Sequence, residues 1–279
     1  AGGTQTGGIV GQLMAAGTVS GNENKAKIAG RNHLGGIIGD YSQSSDYTYY
    51  NVSIANNTNR GELAATEQCA AIMGCNNIDG FTAMTATGNQ SYYYVDGLEL
   101  FGNPEDMVID ETNKFVVPVA QVGEQTFYTF AEAVAAAQAG SEIKLLADAT
   151  VEGTQQELPA GIKLTSNGHT INGSIRMLGD LELNGPLTIT GGLWVGKTEG
   201  TLTATLSGDK LTASYFMFQR GTYTINADID AVYGYLSFEG TFEVNSTIHT
   251  TGANGEVLYI NGNVTLNDGA VLDSDNSVW

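Results

Sequence analysis

Between residues 141 and 279 the chain returns every 19 to 22 residues to the same short phrase: an apolar residue, one spacer, then a second apolar or small residue. The pairs are Ile143/Leu145, Ile162/Leu164, Leu181/Leu183, Leu202/Ala204, Tyr223/Ile225, Phe242/Val244 and Val264/Leu266. Gly161, Gly179, Gly200, Gly221, Gly240 and Gly262 stand one or two residues before the last six. Alternation at period two marks strands. A period near 20 that persists over seven pairs marks stacked units rather than a sandwich.

Each unit holds more apolar pairs, such as Leu187/Ile189 and Leu193/Val195 after Leu181/Leu183, so one period contains about three short strands. Turns fall at Asn167-Gly168, Asn172-Gly173, Asn184-Gly185, Asn254-Gly255 and Asn261-Gly262. Asn-Gly also suits type I′ hairpins. Three strands in about 20 residues, repeated, favour a coil in which each strand pairs with its counterpart one turn later. The expected fold is therefore all-β, a right-handed parallel β-helix (solenoid) of about seven rungs over residues 128–279. At the strand spacing, that rod segment is about 30 Å long. Its exposed end needs a cap. Residues 129–139 supply one: Thr129 and Glu132 form a capping box, Gly140 provides a stop, and Phe130, Val134 and Ala137 share a face that can cover Ile143/Leu145.

Residues 1–90 repeat more slowly. Gly7-Gly-Ile-Val-Gly11 matches Gly35-Gly-Ile-Ile-Gly39 and, more loosely, Ala70-Ala-Ile-Met-Gly74. Val19-Ser-Gly-Asn, Val52-Ser-Ile-Ala-Asn-Asn57 and Met84-Thr-Ala-Thr-Gly-Asn89 follow at spacings of 33 and 32. The glycines permit close backbone approach, and an Asn at a fixed place in each coil can satisfy turn backbone groups. These glycine blocks resemble GLUG-motif repeats, found in bacterial surface proteins and beside some secreted peptidases. Residues 120–148, from Ala120-Gln-Val-Gly through Lys144-Leu-Leu-Ala-Asp148, resemble an element that opens β-helical repeats in adhesin-like surface proteins of gut anaerobes. The resemblance covers most of the chain and is architectural. It implies a β-helix on a bacterial cell surface, extracellular, and carries over no catalytic residues. Ala70-Ala71 in place of Gly-Gly departs from the pattern. Residues 91–127, with Pro104 and Pro118, break both periods and are expected to be a junction.

Composition narrows the function. Thirty acids against 11 Lys and Arg give a net charge of −19, which argues against nucleic acid and against anionic lipid. No apolar run reaches membrane-span length, so no membrane insertion is expected. With 42% apolar residues the chain can fill a core, so it is not disordered. The first repeat begins in mid-pattern, so the chain is expected to be part of a longer one. Cys69 and Cys75 lack a C-x-x-C spacing; they either pair in an oxidising compartment or pack as two buried thiols.

Parallel β-helices include polysaccharide lyases and glycoside hydrolases, and a glycosidase needs two carboxylates at a set separation. Asp228 with Asp230, and Asp273 with Asp275, are the neatest pairs. Turn and solvent-face carboxylates are the plainer reading. The alternative is a Ca²⁺ site, which needs six or more oxygens. No other cofactor is implied. The basic residues Lys144, Lys163, Arg176, Lys197, Lys210 and Arg220 are scattered, as are His33, His169 and His249, and no catalytic motif occurs. Aromatics are the candidates for ligand contact: Tyr41, Tyr47, Tyr49 and Tyr50 in a polar loop, Tyr92, Tyr93 and Tyr94, then Tyr233 and Tyr235, and Trp194 beside Gly191-Gly192. Tyr beside Asn and Asp can stack on sugar faces; equally, such rings can plug gaps between repeats. The expected function is a non-enzymatic adhesin or stalk presenting loops to glycan or a host surface protein. The alternatives are a carbohydrate-active enzyme and an accessory module of a larger secreted peptidase.

Overall fold

A computed structural model describes residues 5–42, 51–77, 84–197, 199–252, 258–276 and 278. The chain forms two compact units, Ala1–Val117 and Pro118–Trp279.

In the second unit the strands fall on three faces. Face A stacks Glu142–Leu145, Ile162–Thr165, Leu181–Asn184, Leu202–Gly208 and Gly221–Ile225, then the ends of Ile229–Val244 and Leu258–Leu266. Face B stacks Ala149–Thr150, Thr170–Asn172, the starts of Leu187–Val195, Leu211–Phe218 and Ile229–Val244, then Thr247–Thr250 and Val271–Ser274. Face C stacks Gln156–Leu158, Ile175–Met177, the ends of Leu187–Val195 and Leu211–Phe218, the middle of Ile229–Val244 and the start of Leu258–Leu266. Pairing from level to level is parallel on all three faces. The fold is all-β and parallel β-helix-like, and the Asn-Gly turns at 167–168, 172–173 and 184–185 join faces rather than hairpin strands, while Asn261-Gly262 lies within Leu258–Leu266 and Asn254-Gly255 lies outside the described residues.

The register departs from the sequence spacing at three places. Ile162↔Leu181, Tyr223↔Phe242 and Phe242↔Val264 stack as spaced. Ile143 instead faces Leu164, Leu181 faces Leu206 rather than Leu202, and Ala204 rather than Leu202 faces Tyr223. Turn length is the reason for the second shift. Residues 178–180 carry the chain from face C to face A at one level, and the longer segment 196–201 does so at the next. A longer turn lets the incoming strand start further back.

Alternate residues point inward and form one continuous apolar core from Phe130 to Leu258. Burying a side chain of that kind contributes about 1.5–3 kcal/mol. Aromatic rings inside are matched to glycines one level up. A Cβ at Gly234 would lie 2.0 Å from the Phe216 ring, which fills the space above its own level.

The cap forms where the sequence places it. The helix Phe130–Ala136 carries the capping box, with Glu132 N donating to Thr129 Oγ1 at 3.2 Å and Thr129 N donating to Glu132 Oε2 at 3.1 Å. It is shorter than 129–139, because Ala137 is already extended at φ −75°, ψ 140°. Phe130, Ala133, Val134 and Ala137 join the core with Ile143, Leu145 and Leu158. Ahead of the helix, Ala120–Val122 and Gln125–Phe127 form an antiparallel hairpin. Its first strand also runs antiparallel to Glu142–Leu145, closing the edge of face A.

The first unit stacks shorter strands, also in parallel. One row is Thr6–Gly7, Leu34–Gly35 and Cys69–Ala70; the next is Val10–Leu13, Ile38–Ser42 and Met73–Asn77. A third is Gly17–Ser20, Val52–Ala55, Met84–Thr87 and Met107–Ile109; a fourth is Glu23–Asn24, Thr58–Asn59, Gln90–Ser91 and Lys114–Phe115. Residues 107–115 therefore continue the stacks of the first unit. The segment read as a junction, 91–127, contains the division between the two units, at 117/118. Val19 faces Ile54, not Val52, so the first spacing of 33 is two residues short of the real coil.

Two features hold these coils close. Asn22, Asn57, Asn89 and Asn113 stand one above another. Asn57 Oδ1 accepts from Asn22 N at 3.1 Å and Asn22 Nδ2 at 2.9 Å, while Asn57 Nδ2 donates to Val19 O at 2.8 Å and to Asn89 Oδ1 at 2.9 Å. Asn89 repeats the pattern with Asn113 and Ile54 O. The glycine blocks answer a second row, Asn24–Asn59–Ser91. A Cβ at Gly36 would lie 2.2 Å from Ala71 O and 2.4 Å from Asn59 Cγ. In the third coil alanine stands at 71, and the residue in register with Asn59 is the smaller Ser91. The departure of the third block is thus paired with a smaller side chain in the same coil. No helix among the described residues is long and apolar enough to cross a membrane.

Candidate functional site

The outer side of face C gathers aromatic residues from four consecutive levels. Parallel register sets Arg176, Trp194, Met217, Tyr235 and Tyr259 in one column and Gly192, Tyr215 and Tyr233 in the next. A Cβ at Gly192 would lie 2.2 Å from the Tyr215 ring, so the missing side chain lets that ring lie down. Its hydroxyl then accepts from Trp194 Nε1 at 2.9 Å, the two rings meeting edge-on at 5.9 Å. Tyr215 stacks on Tyr233 at 5.2 Å and 11°, and Tyr235 on Tyr259 at 4.9 Å and 3°. Tyr233 meets Tyr235 edge-on at 6.0 Å. Arg176 lies 5.8 Å from the Trp194 ring and 3.8 Å from Glu157. The stacked spacing is the strand spacing itself, about 4.8 Å. Most of the row is half-buried, and Tyr259 at its end is 41% exposed. Flat apolar rings with hydroxyls at their rims suit the alternating apolar and hydroxylated surfaces of a sugar.

Of the aromatic candidates, Trp194, Tyr233 and Tyr235 are brought together here, with Tyr215 and Tyr259, which the sequence reading missed. The signal that could have found them is the level-to-level recurrence of Trp194, Tyr215–Met217, Tyr233–Tyr235 and Tyr259 at one place in the coil. The others serve elsewhere. Tyr41 is 2% exposed in the core of the first unit with Ile38, Ile54 and Met73, so it is a filler and not a contact residue. Tyr47, Tyr49 and Tyr50 lie outside the described residues. Tyr92 lies beneath the Arg60 guanidinium at 3.6 Å, Tyr93 donates to Leu63 O at 3.1 Å, and Tyr94 meets Phe115 edge-on at 5.1 Å. All three fasten the first unit.

The candidate metal acids do not converge on an open centre. Asp228 Oδ1 accepts from Thr247 N at 2.8 Å, as a turn residue does. Asp230 sits between Lys210 and His249, whose Nδ1 is 3.6 Å away. Asp273 stacks beside His249, and Asp275 Oδ1 lies 3.2 Å from His249 Nε2. The hydrogen bond that Asp275 accepts from the ring raises the imidazole pKa above 6.5. Lys210 and His249 stand among these carboxylates, where a Ca²⁺ would need further oxygens.

A groove of about 430 Å³ on face A is lined by Glu142, Lys163, Asp180, Glu182, Thr205 and Ser207. Lys163 Nζ bonds Glu182 Oε1 at 2.8 Å, and Thr165 Oγ1 donates to Glu142 at 2.5 Å, holding that carboxyl below its usual range. Glu142 is thereby kept ionised, the opposite of a general acid at neutral pH. Cys69 and Cys75 are free thiols, Cys75 buried and Cys69 partly so. No family model, curated protein or solved structure matches this chain.

Proposed function

We propose that this chain is a non-enzymatic adhesin or stalk of a bacterial cell surface, akin to GLUG-repeat proteins, and that it binds glycan along the outer side of face C. The observation that carries the reading is the aromatic row from Trp194 to Tyr259, in which stacked rings recur at the strand spacing along one outer face. A repeat of that kind suits an extended chain of sugars, each residue of which meets the next ring with hydroxyls at its rim. The acidic surface supports neutral or cationic glycans over sulfated ones, since like charges repel. Titration of the full chain against a panel of neutral, acidic and sulfated glycans tests it. Binding to a neutral glycan that falls at least tenfold in Tyr235→Ala and Tyr259→Ala is the expected result. No binding to any member of the panel leaves only the scaffolding role.

The enzyme reading has one observation in its favour, the groove that places Lys163 among Glu142, Asp180 and Glu182. Against it stand the ion pair that occupies Lys163 and the ionised state of Glu142. Incubation with pectin, alginate, chondroitin and mucin glycans decides it; release of reducing ends that is lost in Glu182→Gln would move the function to this groove.

A further inference from the structure

In the first unit, parallel stacking brings an imidazole, a carboxylate and a thiol to one place. Asp40 lies in Ile38–Ser42 and faces Cys75 of Met73–Asn77 in register, and His33 immediately precedes Leu34–Gly35. His33 Nδ1 is 3.3 Å from Asp40 Oδ1, and one donor atom from each of the three residues falls within 4.8 Å of the others. Asp40 is fully buried and Cys75 is 1% exposed, while His33 is partly open to solvent.

Around Asp40 and Cys75 the hydrogen-bonding partners are side-chain amides. Asp40 accepts from two neutral amides, Gln5 Nε2 at 2.9 Å and Asn77 Nδ2. Cys75 Sγ donates to Asn77 Oδ1 at 3.2 Å and accepts from Asn103 Nδ2 at 3.4 Å. Burial and the nearby Asp40 push the thiol pKa up. A buried carboxylate has to be compensated by its neighbours or by a bound cation. His33 also holds a left-handed backbone, φ 47°, a conformation that strains most residues with a β-carbon.

We propose that His33, Asp40 and Cys75 bind a divalent transition-metal ion of the zinc class. Metal–donor bonds of 2.0–2.3 Å in a tetrahedron put the donors about 3.5 Å apart. The His33–Asp40 pair already stands at that separation, and Cys75 Sγ, within 4.8 Å of both, has the remaining distance to close. One nitrogen, one oxygen and one sulfur suit zinc. Ca²⁺ and Mg²⁺ require more oxygens, and Cu(I) favours an all-sulfur set. Three protein ligands leave a fourth position on the solvent side of His33. On binding, the Cys75 S–H bond breaks, its proton passes to solvent and a metal–sulfur bond forms. The oxidation states of metal and sulfur do not change. Asn77, which now bridges Asp40 and Cys75, becomes an outer hydrogen-bond partner of the bound ligands. Because His33 and Asp40 belong to one coil and Cys75 to the next, the ion would also pin the two coils together.

Cobalt(II), a spectroscopic stand-in for zinc, tests this on the full chain kept reduced. The expected result is thiolate-to-cobalt charge-transfer absorption that saturates at one ion per chain and is abolished by Zn²⁺ but not by Ca²⁺. Cys75→Ser loses the band, Cys69→Ser retains it, and His33→Gln weakens binding at least tenfold. The thermal midpoint of the wild type rises with Zn²⁺ concentration. Absence of the band in the wild type, its survival in Cys75→Ser, or its loss in Cys69→Ser alone overturns the proposal. Should Cys75→Ser fail to fold by circular dichroism, the partly exposed His33→Gln decides: unchanged cobalt affinity there overturns it as well.

Discussion

The two units stack parallel strands by opposite means. In the second, the interior is a column of Leu, Ile, Val and Phe, and the coils adhere because each buries the apolar side of the next. In the first, the apolar core is smaller, and amides do much of the joining: Asn22, Asn57, Asn89 and Asn113 each pass a hydrogen bond to the coil beside them. An apolar column tolerates changes in coil length, because any oily side chain can sit on any other. An amide ladder does not, since every donor must meet an acceptor about 2.9 Å away. The difference teaches that the same parallel pairing can be made adaptable or exacting according to what lines it.

Exchanging the two chemistries is the sharpest way to break this comparison. Ile225→Asn places an amide between Leu206 and Val244, where nothing can pair it. Lost burial and an unsatisfied amide together are expected to cost about 4 kcal/mol in urea unfolding. A loss under about 1 kcal/mol would mean the apolar column accepts amides and the contrast fails. The reverse change, Asn57→Leu, strands Asn22 N and Val19 O and leaves Asn22 Nδ2 with Ser20 O alone, for about 3 kcal/mol. Hydrogen exchange should show the loss in residues 17–24 and 84–91, with the second unit's protection intact.

Gly36→Ala sharpens the glycine argument. It is expected to cost about 2 kcal/mol by overpacking, and Asn59→Ser in the same chain should recover part of it, as Ala71 with Ser91 does naturally. A double variant no better than the single one would detach the glycine from the amide. At the cap, Thr129→Ala removes the acceptor for Glu132 N and should lower stability by about 1 kcal/mol, read as a lower thermal midpoint.

The smallest effect is electrostatic. His249 gains Asp275 and Asp230 as partners, so its folded pKa lies above its unfolded value of 6.5. Its stabilising contribution is therefore complete below about pH 6.5 and disappears as pH rises through the folded pKa. The stability gap between wild type and His249→Gln should shrink from pH 5.5 to pH 8. A gap that widens instead would place the imidazole in a site that disfavours its charge.

Much of the architecture was legible because its cause is local. Apolar alternation, glycines before each strand and the Thr129–Glu132 box act within a few residues, so they announce strands, turns and the helix directly. The end of the helix was less legible: Ala137 to Ala139 are good helix formers, yet extended backbone at Ala137 carries the chain toward the first level. Of the two roles open to Tyr41, the filler could not be told from its neighbours, because a tyrosine beside polar residues looks exposed until the strand that carries it turns inward. The amide ladder was half legible, in that a recurring Asn was visible but its register was displaced by two residues at Val19.

Which side chains meet was another matter. Trp194, Tyr215, Tyr233, Tyr235 and Tyr259 come from four levels of the coil, and His33, Asp40 and Cys75 from two coils. Their meeting depends on the number of residues in each turn, such as the longer passage at 196–201, and on which of two alternating sides each residue takes. A single added residue reverses that choice for a whole strand. Period and pattern thus dictate that the coils pile up, while packing across levels selects the partners, because stacking energy is shared between residues about 20 positions apart and no short stretch of sequence contains it.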